Sequence, residues 1–397
     1  MENHPSIFDK VFIYKDAENV RKLGIYPYFR EIESGQDTEV IIQGKKILML
    51  GSNNYLGLTN DPRVKKAAID AIEKYGTGCS GSRFLNGSLD IHTILEKRLA
   101  AFVDKEAAIL FSTGFMSNLG FISAVVQRGD YIIADRLDHA SIIDGGNLSF
   151  GRLKRFEHND PSSLEAVLKS IPFKAGKLVV VDGIFSMDGD IADLPRIVPI
   201  AEKYNAAIMV DDAHSLGVVG PRGDGTGAHF GLQDRIDVIM GTFSKSLATV
   251  GGFIAGNAKL IDFIRHTSRA LMFSASLPPA SVATVMKSLD IIEEEPWRRE
   301  ALWKNTKIMA EGLVELGYDI GSSNTPVIPI LIGEMEKAFR MCIRLQEEGV
   351  FVNPVVSPAV PQDHSLIRVS LMATHTRQQI DMALDSLKKV GQEMNII

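Results

Sequence analysis

Short apolar runs recur through the middle of the chain, each closed by small or polar residues: Ala107 to Phe111, Tyr131 to Ala134, Leu178 to Val181, Ala206 to Val210 and Val238 to Met240. Runs of this length between turn residues read as strands buried on both faces. The stretches between them have helical spacing, and Gly251 to Gly256 returns as a further short strand. Alternation of strand and helix over 107–256 predicts an α/β fold with a large, mostly parallel sheet and helices on both faces.

The flanks follow other patterns. Residues 6–23 predict one amphipathic helix, broken by Gly24 to Phe29. Residues 39–50 predict a hairpin turning at Gln43-Gly44, with Ile41, Ile47 and Leu48 facing inward. Asp61-Pro62 opens a helix over 62–75, and 91–102 has the same periodicity, which makes Glu96 a solvated helix residue. Beyond a linking helix over 280–294, helices over 297–316 and 336–348, strands over 327–332, 350–353 and 366–370, and a final helix predict a smaller α+β domain. The expected division is an N-terminal arm and hairpin (1–50), a large domain (51–290) and a C-terminal α+β domain (291–397).

Composition narrows the function. Hydrophobic residues at 45% and charged residues at 23% are an ordinary globular balance, and a formal charge of −6 argues against nucleic acid as the main partner. Two distant cysteines, Cys79 and Cys342, suggest no disulfide framework and fit a reducing cytosol. Residues 1–22 have no uninterrupted apolar core, and no later stretch approaches the roughly 18 apolar residues of a membrane span. A soluble, cytoplasmic chain is expected.

The chemistry starts at Lys245, where a buried run leaves the sheet and small residues follow. Desolvation there lowers an amine pKa and favours Schiff-base formation, although a lone Thr242-x-x-Lys245 is more often an ordinary exposed lysine. Upstream, Asp211 and His214 follow another strand, at the edge where open parallel sheets bind ligands. An aspartate there could keep a pyridinium nitrogen protonated, and His214 could reach the ring hydroxyl. A metal site would need more ligands than the 217–227 loop offers, and none is expected. The turn from Ser112 to Asn118 leads a strand into a helix, whose first N–H groups form an anion site. Gly76 to Gly81 spells G-x-G-x-x-G, but a helix precedes it where a dinucleotide site needs a strand. Asp188 and Asp190 have calcium-loop spacing without the remaining ligands.

Val210-Asp211-Asp212-Ala213-His214-Ser215-Leu216-Gly217, followed by Gly241-Thr242-Phe243-Ser244-Lys245-Ser246, resembles the α-oxoamine synthases. These are pyridoxal phosphate (PLP) enzymes of fold type I that condense an amino acid with an acyl-CoA. The match runs from about residue 20 to the end. The resemblance implies that Lys245, His139, Asp211 and His214 are catalytic, with Lys245 carrying PLP and His139 stacking on its ring while its edge meets the substrate carboxylate. Gly114 and Phe115 would contact the phosphate, Thr242 and Ser244 would join the cofactor site, and Ser274 would reach the phosphate of a neighbouring subunit. A homodimer with active sites at the subunit interface follows, with the N-terminal arm as an interface element. Asn53 would lie near the amino acid and Arg368 would grip its carboxylate, with bidentate geometry as its usual advantage.

Ser82-Arg83-Phe84-Leu85-Asn86-Gly87 and the proline loop over 353–361 take the form of the serine-using branch, which adds Ser82 to the substrate set. L-serine and a long-chain acyl-CoA are therefore the expected substrates; the alternative is glycine or alanine with a shorter acyl-CoA. A long acyl chain would bring the protein to the inner membrane surface as a peripheral contact. A binding protein that had abandoned catalysis would be expected to lose Lys245 or His139, and both are present.

Overall fold

The computed structural model describes residues 6–397; the first five residues of the N-terminal arm lie outside the described residues. The single helix expected over 6–23 is two short ones, α1 (Asp9–Ile13) and α2 (Asp16–Lys22), separated by extended backbone at Tyr14. Neither buries a residue, so no packing enforces continuity. The hairpin forms as β1 (Glu39–Ile42) and β2 (Lys45–Met49). Gln43 and Gly44 both have positive φ, as a two-residue hairpin turn requires. Ile47 and Leu48 are buried as expected, but on β1 it is Val40 and Ile42 that are buried and Ile41 only partly so, because that strand's alternation runs in the other phase.

Asp61 caps α3 (Pro62–Tyr75), accepting from the Arg63 amide, and α4 (Asp90–Phe102) follows a loop over 76–89. Glu96 on α4 is a correction to the solvated reading. It is 4% exposed and pairs with Arg83 at 2.6 Å, so the periodic pattern hid a buried ion pair made with a loop residue distant in structure class. Helix α3, and not a strand, leads directly into the glycines at 76–81, so the dinucleotide reading has no structural support.

The large sheet is built from β3 (Ala107–Phe111), α5 (Gly114–Val125), β4 (Tyr131–Asp135), α6 (Ala140–Leu148), β5 (Arg152–Phe156), α7 (Pro161–Lys169), β6 (Lys177–Asp182), α8 (Leu194–Lys203), β7 (Ala207–Asp211), α9 (Thr226–His229), β8 (Val238–Thr242) and β9 (Gly252–Gly256). Strand order is β3-β9-β8-β7-β6-β4-β5, and only β9 runs against its neighbours. Successive residues in the central strands enter opposite cores: Ile133, Val179, Val181 and Val210 on one face, Ile132, Val180 and Met209 on the other. Helices α7 and α8 cover the first face and α5 and α6 the second. That two-sided burial is why the strands read as unbroken apolar runs. Edge strand β5, Arg-Leu-Lys-Arg-Phe, was not expected, because one face is solvated and charges interrupt its apolar positions.

After α10 (Ala258–Thr267), α11 (Arg269–Met272), the linking helix α12 (Pro279–Glu294) and α13 (Trp297–Glu315), the chain forms β10 (Val327–Gly333), α14 (Met335–Glu347), β11 (Val350–Phe351), β12 (Asn353–Val355), β13 (Ser365–Ser370) and α15 (Arg377–Glu393). The strand expected over 350–353 is thus two. β11 pairs in parallel with β2 of the N-terminal hairpin, while β12 joins an antiparallel sheet in the order β10-β13-β12. Residues from both ends of the chain therefore share one small sheet.

Candidate active site

The parallel strands of the large sheet end along one edge, and each end delivers a polar group. His139 follows β4, Asp182 ends β6, Asp211 ends β7, and Thr242 ends β8 with Lys245 in the turn beyond. β3 runs in the same sense and feeds α5. These residues line one cavity of about 330 Å³, together with Thr113, Gly114, Phe115, Ala213, His214 and Ser244. Edge convergence of this kind is the usual ligand position in an open α/β sheet.

Lys245 is half-buried, and its amine has no hydrogen-bond or ion-pair partner among the described residues. Removal from water lowers its pKa to about 8, against the opposing pull of Asp211 and Asp182. Asp211 is held in place by two donors: the Ala213 amide at 3.0 Å and the Asn118 side-chain amide at 2.7 Å. Burial, reinforced by the charge of Asp211, pushes Asp182 well above the carboxylate range.

His214 is buried and its Nδ1 lies 2.7 Å from the Tyr55 hydroxyl. Burial, with the charges of Lys245 and Arg368 behind it, holds His214 well below the usual imidazole range. The Tyr55 contact engages Nδ1 and leaves Nε2 as the ring nitrogen without a protein partner among the described residues, a donor when Tyr55 gives its proton to Nδ1. His139 is exposed at the rim with its ring edge-on to Phe115 at 6.2 Å. Withdrawal of water by the site walls lowers its pKa despite Asp211, and the charge of Lys245 acts in the same sense.

At the start of α5, Thr113 accepts from the Met116 amide and so caps the helix, leaving the Gly114 and Phe115 amides as helix-start donors at the cavity. A Cβ on Gly114 would lie 2.5 Å from Thr242 Oγ1, so only glycine lets the helix start press on the end of β8. Thr242 and Ser244 bond to each other at 3.0 Å. Amine, carboxylate, imidazole and anion-binding amides on one cavity match the functional groups of PLP.

Four other expected residues lie outside that cavity lining. Arg368 is 6% exposed and donates to the Ser186 carbonyl, Asn53 Oδ1, Ser370 Oγ and, at 3.4 Å, the Tyr55 hydroxyl. These contacts leave one of the five guanidinium donors free, so the bidentate grip is not presented; a carboxylate would meet a single N–H. Asn53 orients Arg368. Ser82 and Ser274 are elsewhere: Ser82 is buried in the 76–89 loop, and Ser274 lines a small crevice with Arg83 and His92. Asp190 is occupied by His158 and Asn159 and not by a set of calcium ligands.

Sequence reasoning missed Asn118, Ser141, Tyr55 and Asp182. Asn118 carried a readable signal, as a buried polar residue in the apolar helix Gly114–Val125.

Comparison with known proteins decides the kinship. Residues 45–387 match the aminotransferase class I and II family. The chain belongs to that family. Among its relatives, a serine palmitoyltransferase of Sphingobacterium spiritivorum is 56% identical over 98% of this chain and 97% of its own length. An 8-amino-7-oxononanoate synthase of Thermoanaerobacter pseudethanolicus is 46% identical over 99% of this chain and all of its own. A solved serine palmitoyltransferase (SPT), described as carrying a PLP internal aldimine, superposes with a TM-score of 0.95 at 38% identity over 98% of each chain. The PLP fold type I expectation and the α-oxoamine synthase resemblance are borne out, and the chain is a PLP-dependent enzyme.

Proposed function

We propose that this enzyme condenses L-serine with palmitoyl-CoA, releasing CoA and CO₂ to give 3-oxosphinganine, the first step of sphingolipid synthesis. The observation that carries the reading is the convergence of Lys245, Asp211, His214 and His139 on one strand-edge cavity, in a chain 56% identical to a serine palmitoyltransferase.

When bound, PLP supplies an aldehyde for the amino acid's nitrogen and a protonated ring that takes up the electron pair left at Cα. Lys245 is the amine that anchors it, and a pKa near 8 leaves a useful fraction of free base at neutral pH. Released from that role, Lys245 Nζ takes the Cα proton of serine. Asp211, held by Asn118 and Ala213, keeps a proton on the pyridine nitrogen. His214 would face the ring hydroxyl, and the Gly114 and Phe115 amides would hold the phosphate. His139 and the free N–H of Arg368 would position the serine carboxylate. The new bond joins serine Cα to the acyl carbon as the C–S bond breaks and CoA leaves as the thiolate. The Cα–carboxylate bond then breaks to release CO₂, and a proton returned to Cα, with Lys245 Nζ as the acid in reach, completes the product.

The active unit proposed here is a homodimer, with Ser274 and the 76–89 loop serving the partner's site. Ser274 lies outside its own chain's cavity, and the arm exposes Phe8, Phe12 and Ile13, with Phe12 at 79%. Peripheral contact with the inner membrane surface belongs to the same proposal and is supported by the substrate's acyl chain; among the described residues no helix is long and apolar enough to cross a membrane.

The test is a spectral titration of the PLP-loaded protein with L-serine, glycine and L-alanine, followed by CoA release with acyl-CoAs of increasing length. Saturation by serine and turnover on long chains are expected. A preference for glycine or alanine with short chains would move the enzyme to the second reading, which the relative at 46% identity keeps in view.

A further inference from the structure

Asn118 and Ser141 are both wholly buried at the floor of the site, and the mechanism above uses neither for chemistry. Asn118 sits one turn into α5 and Ser141 at the start of α6, so the two helices bring together residues far apart in sequence. Asn118 Nδ2 lies 2.7 Å from Asp211 Oδ2 and 2.8 Å from Ser141 Oγ. Ser141 Oγ lies 2.7 Å from His139 Nδ1, and the Ser141 amide also donates to Nδ1, at 3.3 Å.

Hydrogen counting gives these contacts one direction. Asp211 is acceptor-only when ionised, so the amide nitrogen of Asn118 and not its oxygen must face it. The second hydrogen of the same nitrogen then goes to Ser141 Oγ, which is left to donate its own proton to His139 Nδ1. Asn118 Oδ1 is left buried without a partner, a cost that the opposite rotamer would avoid only by setting oxygen against carboxylate. Nδ1 therefore receives two donors and has no room for a proton of its own. The ring must carry its hydrogen on Nε2, the atom on the opposite edge.

We propose that Asn118 and Ser141 are positioning residues that fix His139 as its Nε2–H tautomer and tie its ring orientation to the carboxylate of Asp211. The relay couples the group that holds the pyridine nitrogen to the group that meets the substrate carboxylate. The significance of an Nε2–H donor for a carboxylate rests on the function proposed above, whereas the tautomer does not. Other charged groups acting on His139 are Lys245 and Asp144, and its amide faces Asp182 at 3.5 Å. None of them supplies a hydrogen bond to Nδ1 among the described residues.

The test uses the full chain labelled with ¹⁵N-histidine and no cofactor, with the His139 signals identified by their loss in His139→Asn. Long-range ¹H–¹⁵N spectra of the wild type should show a pyridine-like Nδ1 and a pyrrole-like Nε2. Ser141→Ala should lose the single tautomer and raise the imidazole pKa, and Ser141→Thr, which keeps the hydroxyl, should restore both. A pyrrole-like Nδ1 in the wild type overturns the proposal without any variant, and so does a Ser141→Ala spectrum identical to wild type. PLP added to the same samples keeps the two readings apart: failure of Lys245 to react removes the proposed function and leaves the tautomer result standing. In the working enzyme Ser141→Ala should lower kcat/KM for serine while the KM for acyl-CoA holds.

Discussion

Along the carboxyl edge of the large sheet, His158 and His214 occupy opposite electrical environments. His158 follows β5 and bridges two carboxylates, Asp135 at 3.0 Å and Asp190 at 3.1 Å, with Phe185 edge-on at 4.4 Å. Burial opposes its charge, but the two carboxylates outweigh that cost and raise its pKa to about 10. His214, three strands away beyond β7, is held neutral by burial, with the charges of Lys245 and Arg368 acting in the same sense. The lesson is in the pairing. Around His158 each charge meets its opposite, and the clamp fastens the 182–191 loop, whose Ser186 carbonyl receives Arg368. Around Lys245 the amine is left without a partner, and that open valence is what chemistry can use.

The largest effect that tests this contrast is at Lys245. Lys245→Ala should cut turnover by about 10²–10⁴-fold or more and remove the visible absorbance that the PLP-loaded protein gives. An unchanged spectrum would place the reactive amine elsewhere.

Next comes the pH dependence of the same group. With a pKa lowered to about 8, Lys245 is protonated below that pH and free above it, so its reaction with an amine-directed reagent in the cofactor-free protein should climb as pH rises through about 8. A rise near the ordinary lysine value would show that the amine is not desolvated.

His158 should matter for stability and not for the chemical step. His158→Gln leaves Asp135 and Asp190 buried without a cation, and urea unfolding should show a loss of about 3 kcal/mol, at the low end for a broken buried pair because the ring is partly exposed. The sign of the pH effect is fixed by the raised pKa: the contribution is complete below the unfolded value, about 6.5, and is lost as pH rises through about 10. Lost turnover with stability intact would erase the distinction between the two histidines.

The smallest expected effect is at Glu96. Glu96→Gln weakens the pair with Arg83 by about 1.5–3 kcal/mol and should loosen the 76–89 loop, read as faster amide exchange there. Unchanged exchange would show that other contacts hold the loop.

How much of this could be read from the chain varies with the kind of contact involved. The central strands were legible because burial on both faces leaves unbroken apolar runs, and Lys245, Asp211 and His214 were legible because each stands just past such a run. β5 was not, since an edge strand with charges at Arg152, Lys154 and Arg155 lacks that signature. Glu96 was misread for a related reason. Periodicity reports which face of a helix is apolar, but it says nothing of an arginine brought from a preceding loop to neutralise a buried acid.

The sequence by itself therefore determined the fold class, the strand ends and the types of reactive group, all of which depend on local patterning and on residue chemistry. Tertiary structure decided the pairings: that Asn118 divides its two hydrogens between Asp211 and Ser141, that His214 answers to Tyr55, and that Arg368 has most of its donors engaged before any substrate arrives. Hydrogen bonds act over about 3 Å. Only packing of whole helices and strands brings residues so distant in the chain within that range.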